Sequence, residues 1–177
     1  MSKICLPVGR VVYSHLVEPS AAVEGAAPFY SVTISFPADV DLSKVHDAVK
    51  NVANEKFQKV PSNLVCPVKP NDIKEREDGS LPAGFHEGGS HITLKQGDIK
   101  DVALRTRDLK DGAPEDYYAG CWVQAIAHLH AYKVTNPGVT AYAKGLRFVK
   151  DDQPLGGSSP DVSFDALDDE DDNSTPF

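Results

Sequence analysis

The stretch GCWVQAIAHLHAYKV, residues 120–134, limits the fold more than any other part of the chain. Its side chains alternate in character along the whole length, the period-two pattern of a β-strand. Cys121, Val123, Ala125, Ala127, Leu129 and Ala131 form one face, apolar and small enough for a curved, tightly packed sheet. Trp122, Gln124, Ile126, His128, His130 and Tyr132 form the other. These aromatic and hydrogen-bonding groups make a poor core and a good platform.

Shorter runs repeat the strand signal. Residues 9–17 collect β-branched and aromatic side chains. Residues 28–37 alternate, with Tyr30, Val32, Ile34 and Phe36 on one face and Phe29, Ser31, Thr33 and Ser35 on the other. Between them, residues 18–27 form a loop long enough to project over a surface. Further strands are expected at 90–94, at 101–107 and, after a turn at Asn136, Pro137 and Gly138, at about 139–149 with an interruption at Gly145. Alternation in 101–107 sets Arg105 and Arg107 on one face, and the last strand carries Lys144 and Arg147.

One segment changes period. Val45, Ala48, Val49, Val52, Ala53 and Phe57 recur at three and four, with Ser43 as N-cap and Pro61 as a stop. That spacing predicts one amphipathic helix of about 15 residues. Residues 62–89, rich in Pro, Gly and charge, read as loops with at most short extended pieces. About six strands and a single helix predict a mainly β fold, with the oligonucleotide-binding (OB) Greek-key barrel as the leading candidate and a plain β-sandwich as the other.

Charge divides the chain. All 18 Lys and Arg, but only 17 of the 26 acids, lie at or before Lys150. The body therefore carries +1 and the remainder −9, so an acidic total does not exclude a nucleic-acid-binding body. The expected division is a domain over residues 1–156 and a disordered, flexible acidic tail over 157–177.

Several function classes fall away. No run approaches the roughly 18 apolar residues of a spanning helix, and the first residues begin no signal peptide, so no membrane partner and a cytoplasmic location are expected. Cys5, Cys66 and Cys121 are odd in number and scattered, which argues against a disulfide framework and a cysteine-based zinc site. No nucleophile elbow or phosphate-cradling glycine loop occurs. The expectation is a binding protein with no catalytic residues and no cofactor.

Binding a single strand needs stacking faces for bases and cations for phosphates. Trp122 and Tyr132, with Arg105, Arg107, Lys144 and Arg147, supply both on neighbouring strands. Tyr117 and Tyr118 precede the long strand, and His128 and His130 share its platform face. Aromatics on a barrel strand can equally cover apolar surface. Two imidazoles on one strand face can also hold a metal, but no spacing identifies a third ligand. The alternatives are thus a peptide-binding β module and a His-based metal enzyme.

PEDYYAGCWVQ (114–124) and AYAKGLRFVKDDQPLGG (141–157) resemble the hallmark region of a family of bacteriophage single-stranded-DNA-binding proteins, and YSVTISFP (30–37) resembles its early strand. The resemblance spans most of residues 9–157. It implies an OB fold, sequence-independent binding that coats and protects single strands, and a role in phage DNA replication or recombination, in the host cytoplasm. A homo-oligomer is compatible with it.

The chain's last residues also resemble a known device, the acidic tail closed by an aromatic residue of bacterial and some phage single-stranded-DNA-binding proteins. Asp168, Asp169, Glu170, Asp171 and Asp172 would steer, and Pro176 and Phe177 would insert, so that replication or recombination proteins are recruited. Such a tail can also lie in its own basic groove and compete with DNA.

Overall fold

The computed structural model describes residues 2–21 and 23–155. Its strands are β1 (Ser2–Cys5), β2 (Gly9–Ser20), β3 (Phe29–Phe36), β4 (Val68–Pro70), β5 (Ser90–Gln96), β6 (Ala103–Arg105), β7 (Trp122–Lys133) and β8 (Pro137–Lys150), with helix α1 (Ser43–Lys56) between β3 and β4.

Five strands close on one another. β2 pairs with β3, β3 with β5, β8 with β7 and β7 with β2, all antiparallel, and a parallel bridge from Lys95 to Tyr142 joins β5 to β8. Numbered by appearance among these five, the ring runs 1-2-3-5-4 and back to 1. This is the OB Greek-key barrel. β1 extends the ring's edge on β7, β6 adds in parallel to β8, and β4 adds to β5.

The barrel closes because its inner face is small. Cys121, Val123, Ala125, Ala127 and Leu129 are completely buried, as the alternation requires, and meet Val11, Val32, Ile34, Ile92, Leu94 and Leu146 in one core. Burial also pushes the Cys121 thiol up to about 12, so it behaves as a small apolar group. Removal of such aliphatic groups from water supplies about 25 cal/mol per Å².

Helix α1 packs Val45, Val49, Val52 and Ala53 into this core and lies against β7, β1 and β8. Its start differs from the sequence expectation. The cap residue is Leu42, and the Asp41 carboxylate accepts from the Ser43 backbone N–H at 2.9 Å. An acid two residues earlier thus does the work expected of the Ser43 hydroxyl.

Other boundaries move too. β8 runs through Gly145 without a break, and the irregularity lies in its pairing, at Ile126 and Ala127 of β7. The strand expected over 101–107 shrinks to β6, because a 3-10 turn occupies Ile99–Asp101 and the chain reverses after Arg105. β1 and β4, too short for a periodic signal, bring the strands to eight among the described residues.

Candidate functional site

The hairpin of β7 and β8 carries the platform. Its register sets His128 beside Tyr142, His130 beside Thr140 and Tyr132 beside Gly138. The His130 and Tyr142 rings stand 6.5 Å apart. Gly138 leaves room for the Tyr132 ring, since a Cβ at that position would push the ring aside. Lys144 and then Arg147 continue the same side of β8. The result is a polar and aromatic strip along the outside of the barrel, half-buried and open to solvent. His128 titrates below its ordinary range, first through burial and then through the positive charge of Lys144 and other neighbours. It is therefore neutral at pH 7.

At the Tyr132 end the strip opens into a cavity of about 210 Å³, lined by Lys69, Lys74, Lys95, Thr93, Tyr132 and Thr140. Three lysine residues line it together because β4 pairs with β5 and a short 3-10 turn (Asn71–Lys74) follows it. A buried polar network anchors that turn. Asn71 Nδ2 donates to the His86 carbonyl at 2.8 Å and to Ser35 Oγ at 3.2 Å, and His91 Nδ1 meets Asn71 Oδ1 at 2.9 Å. Since an amide oxygen only accepts, His91 carries its proton on Nδ1. Burial, with Lys74 and Lys69 nearby, pushes His91 down to about 4. Lys95 also lies over the Phe29 ring, 5.3 Å from its centroid.

At the opposite end stands an arginine group. The parallel pairing of β6 with β8 makes Arg105 and Arg147 neighbours. Arg147 Nε and Nη2 donate to the Arg107 carbonyl, Arg107 Nη1 to the Val149 carbonyl, and Arg105 Nη1 to the Leu104 carbonyl. Backbone oxygens thus fix three guanidinium groups without neutralising them. One acid joins them among the described residues, Asp111, 3.1 Å from Arg105 and almost fully exposed.

Trp122 and Tyr118 are engaged differently. Trp122 Nε1 donates to Asp152 Oδ2 at 2.8 Å, and Tyr118 OH donates to Asp151 Oδ1 at 2.6 Å. Arg10 ties the same segment down, donating to the Gln153 and Gly120 carbonyls at 3.0 Å each, and Leu155 N–H reaches the Ala119 carbonyl. Gly120, at φ +120, has Gln153 against it where a side chain would stand. The Trp122 ring is flanked by Lys150 Nζ at 5.0 Å and by His86 at 5.8 Å. The indole hydrogen bond, with that of Gln153 N–H, holds the exposed Asp152 carboxyl below its usual range.

The residues expected from sequence therefore separate. His128, His130, Tyr132, Lys144 and Arg147 share the strip, Arg105 and Arg107 adjoin its arginine end, and Trp122 and Tyr118 hold the strap of residues 151–155. Tyr117 is a correction. It is fully buried, its OH donates to the Arg105 carbonyl at 2.6 Å, and burial raises it to about 12, so it supports β6 and offers no stacking surface. Asp168, Asp169, Glu170, Asp171, Asp172, Pro176 and Phe177 lie outside the described residues. Among the described residues no group of three His, Cys, Asp or Glu stands together, so His128 and His130 have no third ligand beside them. Sequence reasoning passed over Lys69, Lys74, Lys95 and Tyr142. Tyr142 alone had a local signal, since it stands two residues before Lys144 on the same strand face.

The model of the family described as "Enterobacter phage Enc34, ssDNA-binding protein" matches residues 2–174. Protein p50 of Acyrthosiphon pisum secondary endosymbiont phage 1 is 26% identical over 177 residues, covering 93% of this chain and 94% of its own. The single-stranded-DNA-binding protein of bacteriophage Enc34, solved in complex with ssDNA, superposes with a TM-score of 0.70 at 20% identity, over 87% of this chain and 89% of that one. Gp2.5, a single-stranded-DNA-binding protein encoded by bacteriophage T7, superposes with a TM-score of 0.65 at 14% identity, over 95% and 96%. At these identities the two structures speak to the fold.

Proposed function

Starting from a chain that belongs to the family of the Enterobacter phage Enc34 ssDNA-binding protein, we propose that it binds single-stranded DNA without regard to sequence and coats it during phage replication or recombination. The observation that carries this reading is the strip on β7 and β8, which runs from the three-lysine cavity past Tyr132, Tyr142, His128 and Lys144 to the arginine group. Half-buried rings with a face open to solvent supply stacking at about 1–3 kcal/mol per base, and spaced cations supply phosphate contacts. A rigid duplex keeps its base faces stacked internally, so only a single strand can use both features. The protein performs no chemistry in this role. Its setting is the cytoplasm of the infected cell.

The acidic segment over 157–177 forms the second part of the proposal. It recruits replication or recombination proteins through Phe177 and competes with DNA for the cationic strip. The test is fluorescence anisotropy with labelled oligo-dT and a matched duplex at two salt concentrations. Binding of the single strand alone, weakened by salt, supports the reading. Equal binding of both, or of neither, refutes it. A full-length variant with Asp168, Asp169, Glu170, Asp171 and Asp172 replaced by their amides should bind the single strand more tightly, and unchanged affinity removes the competing role.

A further inference from the structure

Beside the arginine group lies a second cavity, about 330 Å³, bordered by Leu109, Ile126, Gln124, Gly145, Arg105 and Arg147. Four features set it apart from an accidental dent. Leu109 sits at φ +66, a conformation that side chains other than Asn and Asp rarely adopt, and is 62% exposed there. Ile126, on the platform face of β7, is 40% exposed. The chain thus holds one aliphatic side chain in a strained turn and leaves another open across from it. Gly145 keeps the space between them clear: a Cβ there would lie 3.8 Å from the Ile126 side chain, in ordinary contact, and fill part of the cavity. Gln124 presents a donor and an acceptor at the rim with no hydrogen-bond partner among the described residues.

The charge around the cavity selects the occupant. Two guanidinium groups, those of Arg105 and Arg147, border it, fixed by backbone carbonyls, and one exposed acid joins them among the described residues. We infer that this cavity takes one unstacked nucleobase of a bound single strand, held between Leu109 and Ile126 while Arg105 and Arg147 take the flanking phosphates. The inference deepens the proposed DNA-binding role and rests on it. Apolar walls grip the faces of any base, and the Gln124 amide serves either edge polarity, so the pocket fits binding without sequence preference. Its position beside Gln124 and Arg147 makes it the terminus of the strip.

Two variants test it without touching a cation. Leu109→Gly relieves the positive φ while removing one wall, so its thermal stability should equal or exceed that of the wild type. Gly145→Val fills the space from below. With the full-length protein, affinity is measured for oligo-dT and for an abasic strand of equal length. Each variant should lose about fivefold to tenfold on oligo-dT, part of one stacking contact, and nothing on the abasic strand. Unchanged oligo-dT binding, or an equal loss on both strands, overturns the pocket while leaving DNA binding intact. Failure of the wild type to bind either strand overturns the DNA-binding reading itself. A peptide of residues 161–177 is titrated in parallel. Loss of its binding in both variants, with oligo-dT unaffected, would give the pocket to the acidic tail and overturn the inference.

Discussion

Acid should destabilise this barrel through one buried ring. His91 is 4% exposed, packs edge-on against Phe85 at 5.2 Å, gives its Nδ1 proton to Asn71, and has its titration pushed from 6.5 down to about 4. Between those two values the unfolded chain takes a proton that the folded one refuses, so stability is present above pH 6.5 and is lost as pH falls toward 4. At 1.36 kcal/mol per pH unit, the loss between pH 7 and pH 4.5 is about 2 kcal/mol. Carboxylates also begin to titrate there, so the comparison needs a control, His91→Gln, which cannot take up the proton. Urea unfolding of both proteins at pH 7, 5.5 and 4.5 reads the effect. The wild type should lose about 2 kcal/mol more than the variant over this range. Parallel curves would refute the assignment of a buried neutral ring. Because Asn71 also anchors the turn that carries Lys74, the same acid step should loosen the three-lysine cavity.

Six cations lie on the strip or line the cavities at its two ends: Lys69, Lys74, Lys95, Lys144, Arg105 and Arg147. At about 0.7 counterions released per contact, the slope of log affinity against log salt should be about −4, and Lys144→Ala should reduce it by about 0.7; isothermal titrations from 50 to 200 mM salt check both. His128, held neutral by burial and by Lys144, should gain a proton when phosphates approach. Binding should therefore tighten as pH falls below 7, and His128→Gln should flatten that dependence in the same titrations. Tyr117→Phe leaves the Arg105 carbonyl without its 2.6 Å donor and should cost about 1 kcal/mol in urea unfolding. Trp122→Phe removes the donor to Asp152 and should quicken amide exchange at Leu155 while leaving the β7 core protected.

The central strand was legible because alternation needs no long-range information. Every inward position from Cys121 to Leu129 is buried as its parity demands. Tyr117 and Tyr118 had no such phase. They follow a 3-10 turn, Pro114–Asp116, whose geometry sends one ring into the core and leaves the other at the strap. The lysine cavity was hidden for another reason. Lys69 and Lys74 lie in a stretch without periodicity, and only pairing with β5 and the Asn71 network bring them beside Lys95. In the sequence Asp152 counts only as part of the acidic remainder after Lys150. Its contacts with Trp122 and Arg10 join positions 30 residues apart and further, a separation at which charge pattern carries no signal. The terminal acids and Phe177 belong to sequence reasoning alone.

The most direct test is chemical-shift mapping of backbone and side-chain resonances of the full-length protein during titration with oligo-dT. The account predicts that shifts concentrate on the outer positions of β7 and β8, at His128, His130, Tyr132, Tyr142 and Lys144, and extend to Lys95 at one end and to Gln124 and Arg147 at the other. Shifts confined to the outer face of α1, with the strip silent at saturation, would contradict it.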